Sequence, residues 1–186
     1  MNCTAERPAG LVRRLGASAY EALLLGAILI LVGFVLLPLV TPPAGPGSAP
    51  SSLGTPRPIY LLSPGARHLS AGVSFAVCGL YCCTLWSRGR RTLAMKAWRL
   101  ALCTGARTPV GLPTAIVRYL AWWVGPTLAI ASYLAVQPLG YGRWALWGLA
   151  FNYAWALLDR DGQFFQDRIA GTRLVLGPGA TRLRRG

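Results

Sequence analysis

Acidic side chains are scarce: the 186 residues hold 5 Asp and Glu against 19 Lys and Arg, with one histidine, His68. From so few bases no nucleophile–base set and no His, Cys or carboxylate cluster at metal-ligand spacing can be assembled. The chain is therefore expected not to be an enzyme and to need no cofactor and no metal. The five cysteines, Cys3, Cys78, Cys82, Cys83 and Cys103, form no CxxC pair. Cys78 and Cys82 share a helical face inside an apolar run, as small packing residues do. A glycine-rich loop followed by Lys and Ser or Thr is also missing, which excludes a phosphate cradle of that kind.

Charge as a whole is thin. Charged residues make up 13% of the chain and hydrophobic ones 54%, with a mean hydropathy of +0.45, whereas soluble domains are about one quarter charged. That balance describes an integral membrane protein. A formal net charge of +14 raises the alternative of a nucleic-acid binder, but the basic residues lie between apolar tracts too long for a small soluble core, so they read as topology determinants. Nucleic acid is not expected as a partner.

The chain divides accordingly. Residues 1–15 are a basic lead, followed by a domain over 16–176 and a basic, flexible tail over 177–186. Four spans are expected, at about 16–40, 69–86, 115–136 and 141–158, each near the length that crosses roughly 30 Å of hydrocarbon. The first tract is too long for a signal-peptide core and should remain as a span. Pro38, Pro42 and Pro43 should end it. Residues 41–68, rich in Pro, Gly and Ser, read as an outer loop, and 87–114 as a basic cytoplasmic loop. Within that loop the segment 92–103 suits the headgroup layer. Its secondary structure stays open, because Trp98, Leu100 and Leu102 alternate as in a strand while Leu93, Ala97 and Leu100 fit a helical face. In the third span, Pro126 predicts a kink whose freed carbonyl a neighbouring helix satisfies. Of the tryptophans Trp144, Trp147 and Trp155, only the outermost fit an interfacial belt, and the others should pack.

Lys and Arg set the orientation. The lead holds three, the 87–114 loop six and the stretch after residue 158 six, against two in the 41–68 loop and Arg143 alone between the last two spans. Both termini are then expected in the cytoplasm.

Ionisable groups near or inside the spans are the candidate functional residues, since a central charge costs roughly 2.5–3.5 kcal/mol on insertion scales. Glu21 is the acid of the first tract and follows Arg14 by seven residues, close to two helical turns. Arg118 begins the third span. A charged collar over 159–176 gathers Asp159, Asp161 and Asp167 with Arg160, Arg168 and Arg173. Shared depth and opposite sign suggest a network pairing Arg14 with Asp167 and Glu21 with Arg118. A Glu21 that merely snorkels to the interface, and a collar that only anchors the last helix, are the plainer alternatives. Gly162 and Gly171 read as turns or helix ends.

These residues resemble the RDD family of bacterial membrane proteins, named for one arginine and two aspartates. The arginine corresponds to Arg14 in RRLGASAYE, the first aspartate falls on Glu21, and the second on Asp167 in FFQDRIAGTRLV, whose Gly171 and Thr172 match the family's AGT ending. The segment GRRTLAMKAWRL is similar to the family's middle motif at Gly89, Thr92, Leu93, Met95, Trp98 and Leu100. Glu replaces the first aspartate, Gln166 stands where His is frequent, and Arg91 and Ala94 replace the usual Gln and Gly. The resemblance covers about 11–176 and implies an all-α, four-span inner-membrane bundle, with ion or proton-coupled transport suggested for some members. The expected function is an accessory or interaction protein held together by Arg14, Glu21 and Asp167. The alternative is a small oligomeric cation/proton exchanger using Glu21 and Asp167. Expected partners are the lipid bilayer, anionic lipids at the cytoplasmic face, and a second copy or another membrane protein.

Overall fold

The computed structural model describes residues 9–40, 63–106, 108–140 and 142–177. The expectations for residues 1–8 of the lead with Cys3, for Pro42, Pro43 and the rest of 41–62, for Tyr141 and for the tail beyond Gly177 lie outside the described residues. The chain forms two units, one of residues 1–22 and 79–186, the other of residues 23–78.

Seven α-helices and one small sheet are seen among the described residues. Helix α1 runs Leu11–Val40. It starts five residues before the expected span, so Arg13 and Arg14 are helical rather than part of a separate lead. Pro38 does not end it: the ring sits inside the helix, which continues to Val40. Helix α2, Pro64–Trp86, begins earlier than residue 69, because Ser63 caps it by accepting from the Ala66 N–H at 3.2 Å and Pro64 fits the first turn. Residues 64–68 of the expected outer loop, His68 included, are therefore helix. Leu23–Val40 and Pro64–Cys78, the described part of the second unit, expose most of their side chains, as helices facing lipid would.

The first unit holds the rest. The open question over 92–103 resolves into both answers: α3 spans Leu93–Ala97 and strand β1 Leu100–Thr104. Arg99 between them takes φ 52, turning the chain from helix into strand. After this come α4, Leu112–Trp122, and α5, Val124–Val136. They are separated at Trp123, four residues after the α4 residue Tyr119 and just ahead of Pro126, where the missing N–H breaks the helical ladder. A 3-10 turn at Gly142–Leu146 leads into α6, Trp147–Leu158, then α7, Phe165–Ile169, and strand β2, Thr172–Leu176.

Among the described residues three helical stretches, Leu11–Leu39, Pro64–Trp86 and Leu112–Val136, are long and apolar enough to cross a membrane. The fourth expected stretch, 141–158, is the 3-10 turn plus α6. Helix α6 packs closely along α5: a Cβ on Gly148 would lie 2.7 Å from the Ala129 backbone, so only glycine permits that approach. Trp144 and Trp147 are exposed while Trp155 is half-buried: the inner tryptophan, Trp147, does not pack as expected, and the outermost Trp155 is in part covered because Phe151 and Phe165 lie against its ring.

The all-α expectation needs amending. Strands β1 and β2 pair antiparallel, Leu100 opposite Leu176 through Thr104 opposite Thr172. Ala9 N–H donates to Leu174 O at 3.1 Å on the other edge. Leu100, Ala101, Leu102, Cys103 and Leu174 are buried: β1 buries four consecutive side chains, so both of its faces are covered, and pairing with β2 selects strand over helix. Cys78, Cys82 and Cys83 are buried thiols, as expected of packing residues.

Candidate functional site

The charged side chains singled out in the sequence converge in the first unit, where α1, α4, α7 and the 87–92 turn come together. Arg118, on the buried face of α4, directs Nε and Nη2 at the same oxygen of Asp167, Oδ1, each at 2.7 Å. Thr172, the first residue of β2, donates its hydroxyl to that oxygen at 3.2 Å. The Arg118 guanidinium also lies over the Trp86 ring at 4.3 Å. Both charged side chains are almost wholly buried, 6% and 1% exposed, so removing one would strand the other in an apolar setting. Asp167 Oδ2 is buried with no hydrogen-bond partner.

Glu21, half-buried on α1, accepts the Thr92 hydroxyl at 2.6 Å through Oε2. Thr92 is also the N-cap of α3, its oxygen accepting from the Met95 N–H at 3.2 Å. One threonine thus starts α3 and ties it to α1. Trp98, at the end of α3, reinforces the contact: its indole lies where a Cβ on Gly16 would be, so α1 can approach only with glycine there.

Arg14 is buried as well. Its guanidinium sits 5.2 Å from the centroid of the Phe164 ring, the charge attracted to the ring face, and Nη2 lies against Gly162. Gly162 takes φ 59 and Gly171 φ 61, so both glycines are turns, as read from the sequence. The Gly171 carbonyl accepts Gly105 N–H at 2.9 Å, joining the turn before β2 to the end of β1.

The pairing therefore differs from the expected one. Arg118, not Arg14, binds Asp167 directly, and Glu21 is held by Thr92 instead of by Arg118. The reason is position: α7 lays Asp167 against α4, whose Arg118 needs no reach, while Arg14 meets the aromatic wall of Phe164 first. Gly89, at φ 70, and Met95, 5% exposed, serve the turn and the core beneath α3, whereas Leu93 is exposed. Outside this layer the collar forms a second, wetter set. Arg173 Nη2 reaches Asp161 at 2.9 Å, and Arg168 lies 3.7 Å from Asp161 and 3.8 Å from Asp159. Asp159 Oδ2 accepts the N–H groups of Asp161 and Gln163, closing the turn after α6. Among the described residues no three His, Cys, Asp or Glu side chains converge as a metal site would require.

Three contributors were not identified from sequence: Trp86, Phe164 and Asn152. Asn152, on α6 and 1% exposed, donates Nδ2–H to Trp122 O at 2.6 Å. That carbonyl is the one Pro126 leaves without its i+4 donor, so the neighbour expected at the kink has a name. An amide in the apolar tract 147–158 was the available signal.

No curated protein and no solved structure matches the chain. The family model described as RDD family matches residues 8–171, a stretch that contains Arg14, Glu21, Thr92, Arg118 and Asp167, and the chain accordingly belongs to the RDD family.

Proposed function

We propose that this protein is an accessory or interaction protein of a bacterial inner membrane, not an enzyme, with four crossings and both termini in the cytoplasm. The observation that carries the reading is the Arg118–Asp167 pair. It fastens α7 and β2 to α4, as Thr92–Glu21 fastens α3 to α1, so a cytoplasmic cap made of α3, β1, α7 and β2 is locked onto helices of the bundle. Each charge is spent on positioning one element against another.

The fourth crossing is supported by length. The 3-10 turn and α6 together rise about 28 Å, close to the about 27 Å from Arg118 to the end of α5. The close approach of α6 to α5 at Gly148 and the bond from Asn152 to Trp122 run along the same path. With four crossings, the basic segments fall on one side. That side would meet anionic lipid, and the exposed apolar helices leave room for a second copy or another membrane protein.

A second reading, an oligomeric cation/proton exchanger using Glu21 and Asp167, is favoured by one observation: the second oxygen of Asp167 is buried without a partner, and such a group inside a membrane protein is a candidate for ion or proton handling. The deciding experiment is cation-dependent proton flux in proteoliposomes holding the parent, the folded Glu21→Gln variant, or no protein. Equal leak in all three is expected. Flux in the parent that disappears in Glu21→Gln would overturn the accessory reading in favour of exchange.

A further inference from the structure

Among the described residues only two that are not glycine take positive φ, and both are arginines of the basic loop: Arg88 at φ 55 and Arg99 at φ 52. Glycine adopts this left-handed backbone freely, whereas an arginine is strained in it. Neither turn is frayed. Arg88 N–H donates to Val110 O at 2.9 Å, Arg99 N–H to Lys96 O at 3.1 Å, and Arg99 O accepts Gly177 N–H at 2.7 Å. Each residue lies just past the end of a helix, Arg88 after α2 and Arg99 after α3, where a left-handed residue, usually glycine, turns the chain out; an arginine kept there in place of glycine points to a use for its side chain.

What the side chains do inside the protein is little. Both are exposed, and among the described residues neither forms an ion pair, in contrast to Arg118, Arg168 and Arg173, each of which faces an aspartate. Around them the same segment presents Lys96 and the apolar Leu93 and Trp98, 53% and 37% exposed. Trp98 rests on Gly16 in the second turn of α1, which places the strip beside the end of a membrane-length helix. Basic groups interleaved with exposed Leu and Trp at that level match one environment, the headgroup layer, where phosphate meets acyl chain.

We propose that Arg88 and Arg99 are phosphate-binding residues for anionic glycerophospholipid, kept on strained turns at a cost in stability, with Leu93 and Trp98 entering the acyl boundary between them. The inference rests on the reading that this face lies at the cytoplasmic headgroups. A glycine at either position would relax the backbone and delete the ligand, so stability and lipid binding move in opposite directions. A merely structural arginine would not do this.

The test uses the full chain in nanodiscs of phosphatidylcholine with and without phosphatidylglycerol, comparing the parent, the Arg88→Gly/Arg99→Gly double variant and an Arg168→Gln/Arg173→Gln control. In phosphatidylcholine alone the glycine variant should melt about 2–4 °C above the parent for each strained site relieved. Its retention of phosphatidylglycerol by native mass spectrometry should fall about thirtyfold, the combined effect expected of two arginines at an anionic surface. The control should lose much less. Equal lipid retention in the parent and the glycine variant would overturn the proposal, as would an equal loss in the control or equal protection of the parent by inorganic phosphate. Release of the parent from membranes by alkaline carbonate would overturn the membrane placement as well, whereas a retained protein indifferent to phosphatidylglycerol overturns this inference alone.

Discussion

Asp161 and Asp167 stand six residues apart, and each accepts an arginine at under 3 Å, Asp161 from Arg173 at 2.9 Å and Asp167 from Arg118 at 2.7 Å. Their surroundings separate them. The side chains of the first pair are 47% and 52% exposed, those of the second 1% and 6%. Water can replace either partner of the outer pair, so its bond exchanges one solvated arrangement for another. Nothing solvates the inner pair if it is broken. Similar geometry therefore means a replaceable surface contact in one place and an obligatory fastening in the other, and the collar is two structures with different roles.

The largest effect should come from breaking the inner pair on one side. Arg118→Met leaves Asp167 charged and buried, and should cost about 3–5 kcal/mol, read as a lower melting temperature in detergent. Removing both partners, Arg118→Met with Asp167→Leu, should recover most of that loss, because the desolvated charge is gone. A double variant as unstable as the single one would show that the pair contributes more than mutual neutralisation. An intermediate effect is expected at the kink: Asn152→Leu strands the Trp122 carbonyl and should cost about 1–3 kcal/mol. Adding Pro126→Ala to that variant supplies the absent N–H and should restore stability, which a simple packing defect would not allow. Smallest is the outer pair, where Arg173→Gln should change stability by less than about 1 kcal/mol and by less still at high salt. If Arg173→Gln matched Arg118→Met, the distinction between the two halves of the collar would be lost.

Much of this was legible beforehand. Of the four spans that the apolar tracts marked, three are helices long and apolar enough to cross a membrane; the charged residues marked the layer that holds the cap, and Pro126 announced that a neighbour can donate to the carbonyl it frees. The boundaries were less legible. Helix α1 starts at Leu11 because its basic first turns pack on Phe164 and Gly162, contacts from residues some 150 positions away in the chain. The segment 92–103 could not be assigned because each half obeys a different periodicity, and the division falls at Arg99, whose left-handed backbone no propensity would favour. Strand β1 exists only because β2 is there to pair with it.

Composition and patterning alone marked helices fit to cross a membrane and the residues that are candidates for its polar layer, and the resemblance of a few motifs pointed to the family whose model matches. Hydrophobic length and charge scarcity are local properties, and a bilayer reads them directly. The tertiary structure decided who pairs with whom: Arg118 rather than Arg14 for Asp167, Thr92 rather than Arg118 for Glu21, and Asn152 for Trp122. Depth along a helix can be counted from sequence, but azimuth and neighbour are set by packing, and a hydrogen bond a few ångströms long depends on both.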